Sequence, residues 1–211
     1  MTRLSSLVLF CYIFHAGVPG LTPDEVIKKS EAGFLGAKTL ESEFKLRIDW
    51  KLRDTVEEKS GKIFVQNPDK YRVELGDALF ISDGKTFYRY SGHARQMVIN
   101  RSGDMGSDFT PGEWLFRYSG KYSPVSMEAT SLEKENCLCV TLTPREKENR
   151  FRQLRVWVAG EAYAVRLIET TDRNDNVASY RILRLARNPK LSASLFAFKP
   201  PKGTEIIDMR K

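Results

Sequence analysis

Hydrophobic and charged residues alternate strictly along one early segment of the chain. Phe44, Leu46, Ile48, Trp50 and Leu52 each stand between charged neighbours. Because successive side chains of a strand point to opposite faces, this pattern predicts a long strand with one dry face and one wet face. Strands covered on both faces would read as continuous apolar runs instead. We therefore expect an antiparallel sheet with one solvated face.

The same period of two recurs along the rest of the chain. Asp83-Gly84 is a typical hairpin turn, and Asn67-Pro68, Ala159-Gly160 and the segment 172–175 carry further turn residues. Together with the first strand, the segments between such turns make about eleven short strands, a spacing typical of a barrel or sandwich. The ten further segments are 61–66, 71–75, 79–82, 86–90, 96–100, 125–130, 137–143, 151–158, 163–170 and 177–185.

Three short helical pieces are expected beside the strands. Thr22, Pro23 and Glu25 form a capping box with proline at the first helical position, so a helix begins here. The glycine-rich stretch 102–122 is expected to be a mobile loop that carries a short apolar helix, and a third piece is expected around 190–194. These three pieces must cover the dry face of the sheet, because the rest of the chain is occupied by strands.

The first twenty residues predict a secretory signal peptide. Arg3 gives a positive start, the apolar run 7–14 is too short to span a bilayer, and Val18-Pro19-Gly20 precedes the expected cut. A buried N-terminal helix is the alternative.

Cleavage leaves one domain over 21–211 and two cysteines, Cys137 and Cys139, whose side chains share a face of one strand. Buried thiols are favoured over a strained bridge or a redox-active pair.

The remaining residues argue against most kinds of catalytic or metal site. His93 is the only histidine after residue 20 and lies in a turn sequence, so neither a zinc site nor a Ser-His-Asp triad is expected. Lys plus Arg number 34 against 27 acidic residues, a net charge of +7, but the basic residues are spread singly through the strands. We therefore predict no nucleic-acid partner, no metal, no cofactor and no enzymatic activity.

A wide dry face under a small cover has two interpretations. The three helical pieces pack it fully, as in a sandwich or closed barrel, or they cover it loosely and leave a cavity for acyl chains. Periodicity does not separate core residues from ligand-binding residues, so both interpretations stand at this point.

Several motifs, taken in order, resemble the family of periplasmic outer-membrane lipoprotein carrier proteins, LolA. They are Gly-Lys-Ile-Phe-Val-Gln-Asn-Pro-Asp-Lys-Tyr-Arg at 61–72, Ile-Ser-Asp-Gly-Lys-Thr at 81–86, Tyr88-x-Tyr90, Gln96, and Leu-Phe-Ala-Phe-Lys-Pro-Pro-Lys-Gly-Thr-Glu-Ile-Ile-Asp at 195–208. Each motif alone is common, but their joint order and spacing is specific. The resemblance spans essentially the whole chain after residue 20.

The resemblance implies a fold and a function. The fold would be mainly β, an unclosed antiparallel β-barrel of about eleven strands covered by a short-helix lid. The protein would be a monomeric periplasmic chaperone that holds lipoprotein acyl chains in a hydrophobic cavity. It would collect lipoproteins from an inner-membrane ABC transporter and bring them to the outer membrane, where a receptor is a possible partner. A carrier of other lipids, or a packed non-transport domain of the same fold, is the alternative.

Site residues follow from the pattern and the resemblance together. We predict that apolar side chains of the first five strands line the cavity, namely Phe44, Leu46, Ile48, Trp50, Tyr71, Val73, Leu79, Ile81, Tyr88 and Tyr90. The lid is predicted to contain Val26, Phe34, Trp114, Leu115 and Phe116, held by Asn67. Family members often carry Arg at the position of Asn67, so the latch is expected to rely on an uncharged amide here.

Overall fold

The computed structural model describes residues 20–102 and 118–210. Its elements are one α-helix, twelve strands and one 3-10 helix. They are α1 (Pro23–Leu35), β1 (Thr39–Trp50), β2 (Thr55–Gln66), β3 (Lys70–Leu75), β4 (Ala78–Asp83), β5 (Thr86–Ser91), β6 (Gln96–Arg101), β7 (Tyr122–Leu132), β8 (Glu135–Pro144), β9 (Phe151–Ala159), β10 (Ala164–Asp172), β11 (Val177–Arg187), the 3-10 helix (Ala193–Phe196) and β12 (Glu205–Asp208).

All twelve strands belong to one sheet that does not close on itself. The order is β12-β6-β5-β4-β3-β2-β1-β11-β10-β9-β8-β7, so β12 and β7 are its two edges. Every neighbouring pair is antiparallel except β12 with β6. The prediction of a mainly β, unclosed antiparallel sheet is confirmed. The short strand β12 was missed, and the helical piece expected around 190–194 begins at Ala193.

Helix α1 begins where its capping residues predict. The Thr22 side chain accepts a hydrogen bond from the Glu25 amide at 3.3 Å, and the Glu25 carboxylate accepts one from the Thr22 amide at 2.8 Å. Val26, Ile27 and Phe34 form the buried side of the helix. No helix within residues 20–102 and 118–210 combines the length and the apolar character needed to cross a membrane.

The two faces of the sheet differ in what covers them. We call the face that packs against α1 the inner face and the opposite one the outer face. The large hydrophobic core lies between α1 and the inner face and draws on both halves of the sheet. On β1, Phe44 and Leu46 are 3% and 5% exposed, whereas Lys45 and Arg47 are exposed on the outer face. This confirms the predicted dry and wet faces of the first long strand up to Trp50. Leu52, predicted in the same strand, lies in the turn after β1 and is 85% exposed.

Gly61 on β2 is required by the packing of Phe44. A Cβ atom added at Gly61 would lie 2.4 Å from Cζ of Phe44 and 2.8 Å from the backbone oxygen of Glu74. The Phe44 ring therefore rests directly on the backbone of β2, where any side chain would displace it. Phe44 and Gly61 are cross-strand partners, so the glycine leaves the space that the ring occupies.

The two cysteines pack on the outer face of the C-terminal half. Cys137 and Cys139 are free, and they form a small cluster with Trp157 and Ala159. The Arg155 guanidinium lies 4.6 Å from the centre of the Trp157 ring. Burial raises the pKa of both thiols above the ordinary range. The predicted buried thiols on one face are confirmed.

We expect Gly61→Ala to lower the free energy of unfolding by about 1–3 kcal/mol, because the added methyl group meets the Phe44 ring and the β3 backbone. Urea denaturation of the purified protein measures this change. Gly120→Ala is the matched control, since a Cβ atom added there would have nothing within 4 Å. Equal losses of stability in the two variants would contradict the packing described for Phe44.

Both thiols are expected to react slowly with Ellman's reagent in the folded protein, because the reacting species is the thiolate and burial disfavours it. Unfolding in urea should speed the reaction by roughly tenfold or more, and the rate in the folded state should still be rising above about pH 8.5. Stopped labelling followed by mass spectrometry measures the modified fraction. Fast modification of the native protein near pH 7 would contradict this interpretation.

Candidate functional site

The inner face of strands β1 to β5 carries a continuous set of apolar side chains. Cross-strand pairing places side chains of neighbouring strands together on one face. In this way the Val73 position on β3 aligns with Ile63 on β2 and with Phe80 on β4. The same face also holds Phe44, Leu46, Ile48, Val65, Tyr71, Leu75 and Phe87. Tyr71, Leu75 and Phe80 are only half-buried, so this region is less tightly covered than the rest of the core.

The structure separates the predicted cavity residues into an inner-face group, an outer-face group and Trp50. Phe44, Leu46, Ile48, Tyr71 and Val73 share the inner face, and all five belong to the main core or pack against it. Trp50 lies at the distal end of β1, where its indole N–H donates to Glu57 at 3.4 Å.

Four predicted residues lie on the outer face, so the prediction that they share one lining with Phe44 and Val73 is wrong. Leu79 pairs with Glu74 and Tyr90, and Ile81 pairs with Arg72 and Tyr88. Their cover is the C-terminal segment. The 3-10 helix contacts β3 and β4, and the ring centres of Tyr90 and Phe198 lie 5.2 Å apart.

The hairpin turns could have revealed this division. A two-residue turn at Gly76-Asp77 pairs Leu75 with Ala78, and this register brings Val73 opposite Phe80. Both faces of β4 and β5 carry apolar side chains, so alternation alone did not show which one faces α1. The inner-face residues that the predicted cavity lining did not include are Ile63, Val65, Leu75, Phe80 and Phe87.

Helix α1 covers mainly the C-terminal half of the inner face. Its chief contacts are with β7, β8 and β10. Val26 and Phe34, two of the predicted lid residues, are 0% and 2% exposed and belong to the main core. The predicted lid residues Trp114, Leu115 and Phe116 lie outside the described residues.

Asn67 holds the C-terminal end of α1 with its side-chain amide. Its Nδ2 atom donates to the backbone oxygen of Ala37 at 2.6 Å and, at 3.5 Å, to that of Phe34. Its backbone N–H donates to the oxygen of Lys38 at 3.0 Å. Helix C-termini leave carbonyl groups without partners, and these contacts satisfy some of them. We call this set of contacts the helix-end latch.

Two further contacts hold α1, and neither was predicted. The Glu31 carboxylate is 6% exposed and accepts hydrogen bonds from the amide of Ser119 at 2.7 Å and its hydroxyl at 2.6 Å. On the exposed side of the helix, Lys29 donates to the Tyr163 hydroxyl at 3.1 Å. Asn67, Ser119 and Tyr163 therefore fasten α1 from three separate loops. Because these partners are far apart in sequence, no local motif marks them.

Comparison with known proteins decides the family. The family of the outer membrane lipoprotein carrier protein LolA matches residues 36–199. The chain belongs to the LolA family. A relative named outer-membrane lipoprotein carrier protein from Histophilus somni (strain 129Pt) is 27% identical over 159 residues, which cover 74% of each chain.

Two further similarities extend over most of the chain. A relative with the same name from Azotobacter vinelandii (strain DJ / ATCC BAA-1303) is 26% identical over 212 residues, covering 97% of this chain and 99% of the relative. The crystal structure of an uncharacterized conserved protein from Thermus thermophilus covers 88% of this chain and 98% of its own, with 12% identity and a TM-score of 0.58. That structural similarity shows the fold alone. By family, the protein is a carrier, and LolA carriers are periplasmic proteins that bind lipoproteins.

Asn67→Ala is expected to release the end of α1, because the carbonyl groups of Phe34 and Ala37 lose their side-chain donor. A buried hydrogen bond removed in this way costs about 1–2 kcal/mol, so amide exchange in the last turns of α1 should speed up roughly tenfold. Hydrogen exchange followed by mass spectrometry measures it. Asn174→Ala, in the exposed turn after β10, is the control and should leave α1 unchanged.

Asn67→Arg tests the same latch in the opposite direction. A guanidinium group offers more donors and a positive charge to the helix end, so exchange in α1 should be slower than in the wild-type protein. The latch assignment would be wrong if α1 exchanged at one rate in the wild-type, Ala and Arg proteins.

Proposed function

We propose that this LolA-family protein carries lipoproteins by burying their acyl chains against the inner face of the sheet. The observation that supports the proposal is the set of half-buried apolar side chains on β3 and β4, next to a core that a single helix of the described residues covers. Acyl chains are unbranched and uniformly apolar, so a broad apolar surface binds them without directional contacts. The contribution of this surface is expected to scale with the area removed from water.

An acyl chain reaches the half-buried side chains on β3 and β4 first, and contact with the main core beyond them requires α1 to give way. Side chains of the main core are at most 8% exposed, so an acyl chain gains contact with them by replacing the helix rather than by filling open space. Val26, Ile27 and Phe34 give up apolar packing when the helix leaves, and an acyl chain supplies packing of the same kind. The polar contacts of Asn67 and Glu31 then set how readily α1 leaves.

We also propose a transport route for the lipoproteins. The signal peptide predicted for residues 1–20 would place the protein in the periplasm, as in the carrier family. Cargo would come from an inner-membrane lipoprotein-releasing ABC transporter and pass to the outer membrane, where a receptor would accept it. Purified protein should therefore release lipoproteins from inner-membrane vesicles that contain such a transporter and ATP. Native mass spectrometry of the released complex would show the acylated adduct.

Phe80→Ala should weaken acyl-chain binding about three- to tenfold, because cargo buries only the exposed part of this half-buried ring and gains roughly half of the 1.5–3 kcal/mol of full burial. Leu79→Ala is the matched control. The two residues are adjacent on β4 and both half-buried, but Leu79 faces the C-terminal segment. Displacement of a fluorescent fatty acid measures both affinities.

Two results would overturn the carrier proposal in favour of a named alternative. If the wild-type protein binds neither lipoprotein nor fluorescent fatty acid, the fold serves as a packed domain without transport. If it binds phospholipid or fatty acid but releases no lipoprotein from vesicles, it carries other lipids. Equal effects of Phe80→Ala and Leu79→Ala would show that the inner face is not the binding surface.

Acyl-chain affinity is expected to change little between low and high salt, since burial of apolar area is not screened as exposed charges are. Titrations of the fluorescent fatty acid at about 0.05 M and about 0.5 M NaCl would measure this change. The Debye length is longer than about 10 Å at the first concentration and shorter at the second. A steep loss of affinity at high salt would instead assign the binding energy to charged groups.

A further inference from the structure

Tyr118 carries a buried hydroxyl group that the folded protein leaves without a partner. Its side chain is 0% exposed. Among residues 20–102 and 118–210, it is the one whose fully buried side-chain polar atom makes no hydrogen bond. Buried hydroxyl groups almost always find a partner, because an unsatisfied donor in an apolar region costs free energy. The Tyr118 hydroxyl is therefore a buried donor that is available to a group entering this layer.

The neighbours of Tyr118 place it at the junction of helix and sheet. It belongs to the main core, which lies between α1 and the inner face. The next residue, Ser119, donates twice to Glu31 on α1. The backbone oxygen of Tyr118 accepts from the amides of Lys121 and Tyr122 at 3.0 Å and 2.9 Å, so the backbone here is held in a tight turn. Tyr118 is thus fixed in place, next to the helix that acyl chains would displace.

Other buried polar groups in this layer show the contrast. Ser30 donates to the oxygen of Ile27, Ser42 to that of Arg184, and Thr170 to that of Ala178. Each of these hydroxyl groups is satisfied within the protein. The Tyr118 hydroxyl is uncharged, since burial and the nearby Glu31 carboxylate raise its pKa well above the usual range. It therefore offers an O–H donor to an incoming acceptor.

We propose that the Tyr118 hydroxyl binds the carbonyl oxygen that links an acyl chain to its head group. Acyl chains joined through esters or amides bring one strong acceptor into an otherwise apolar layer, and that acceptor needs a donor there. Tyr118 supplies it, so the site distinguishes acyl chains from alkyl chains of equal length. This inference rests on the proposed carrier function and adds a specificity-determining residue to it.

The test compares ester-linked and ether-linked phosphatidylcholines with the same saturated chains. The wild-type protein should bind the diester about three- to tenfold more tightly than the diether, the range expected of one neutral hydrogen bond. Tyr118→Phe should remove this preference by weakening diester binding alone. Competition with a fluorescent fatty acid measures the affinities.

Tyr122→Phe is the matched control. Tyr122 is also buried, at 4% exposure, but its hydroxyl already donates to Oδ1 of Asn149 at 3.1 Å. This variant should lose thermal stability and keep the ester preference. Tyr118→Phe should keep or gain thermal stability in the lipid-free protein, because it removes an unsatisfied polar group. Thermal denaturation separates these two outcomes from the binding data.

The outcomes distinguish this inference from the carrier proposal. If the wild-type protein binds neither lipid, the carrier proposal fails. If it binds both lipids but Tyr118→Phe leaves the ester preference unchanged, or no preference exists, the Tyr118 inference is wrong and the carrier proposal stands. Loss of the preference in both Tyr variants would assign it to a general loosening of the core and overturn the specific role of Tyr118.

Discussion

Burial of the inner face beneath α1 is the interaction on which the rest of the structure depends. A sheet that ends in two free edges cannot bury its apolar face by closing on itself, so another element has to exclude water from it. The described residues use one amphipathic helix for the C-terminal half. On the other half, Tyr71, Leu75 and Phe80 remain half-buried. The inner face therefore has one part that α1 keeps fully buried and another part that α1 leaves half-buried.

Hydrogen bonds give the cover of the sheet a specificity that apolar burial lacks. Hydrophobic contact does not specify which apolar group covers the sheet, so a helix and an acyl chain are interchangeable in that respect. The helix-end latch and the contact between Glu31 and Ser119 favour the helix specifically. Each acts on a different part of α1, so the stability of the covered state depends on a few hydrogen bonds. Under the proposed function, substitutions at these positions would alter the balance between α1 and acyl chains on the inner face without changing the sheet.

How far the sequence predicted the structure depended on whether the signal was local. The alternation from Phe44 and the capping box at Thr22 act over a few residues, and both led to correct elements. The faces of β4 and β5 were assigned wrongly, because Ile81 and Tyr88 are apolar although they face outward. The cover of this face comes from near the C-terminus, where the 3-10 helix contacts β4 and Phe198 packs against Tyr90, so no neighbouring residue marks it. Recognising Phe80 as an inner-face residue requires the register that the Gly76-Asp77 turn sets. Recognising the unpartnered hydroxyl of Tyr118 requires the hydrogen-bond partners of every buried polar group.

The pairing of β1 with β11 has a consequence for the order of assembly. Leu40 pairs with Arg187, so the strand that joins the two halves of the sheet finds its second neighbour near the end of the chain. Strands β1 to β6 pair in sequence order and can form early, whereas one side of β1 stays unpaired until residues 177–187 arrive. Such non-local pairing slows folding and leaves an apolar edge strand open to association with other chains. The central seam of the sheet is therefore exposed to association with other chains until synthesis of β11 is complete.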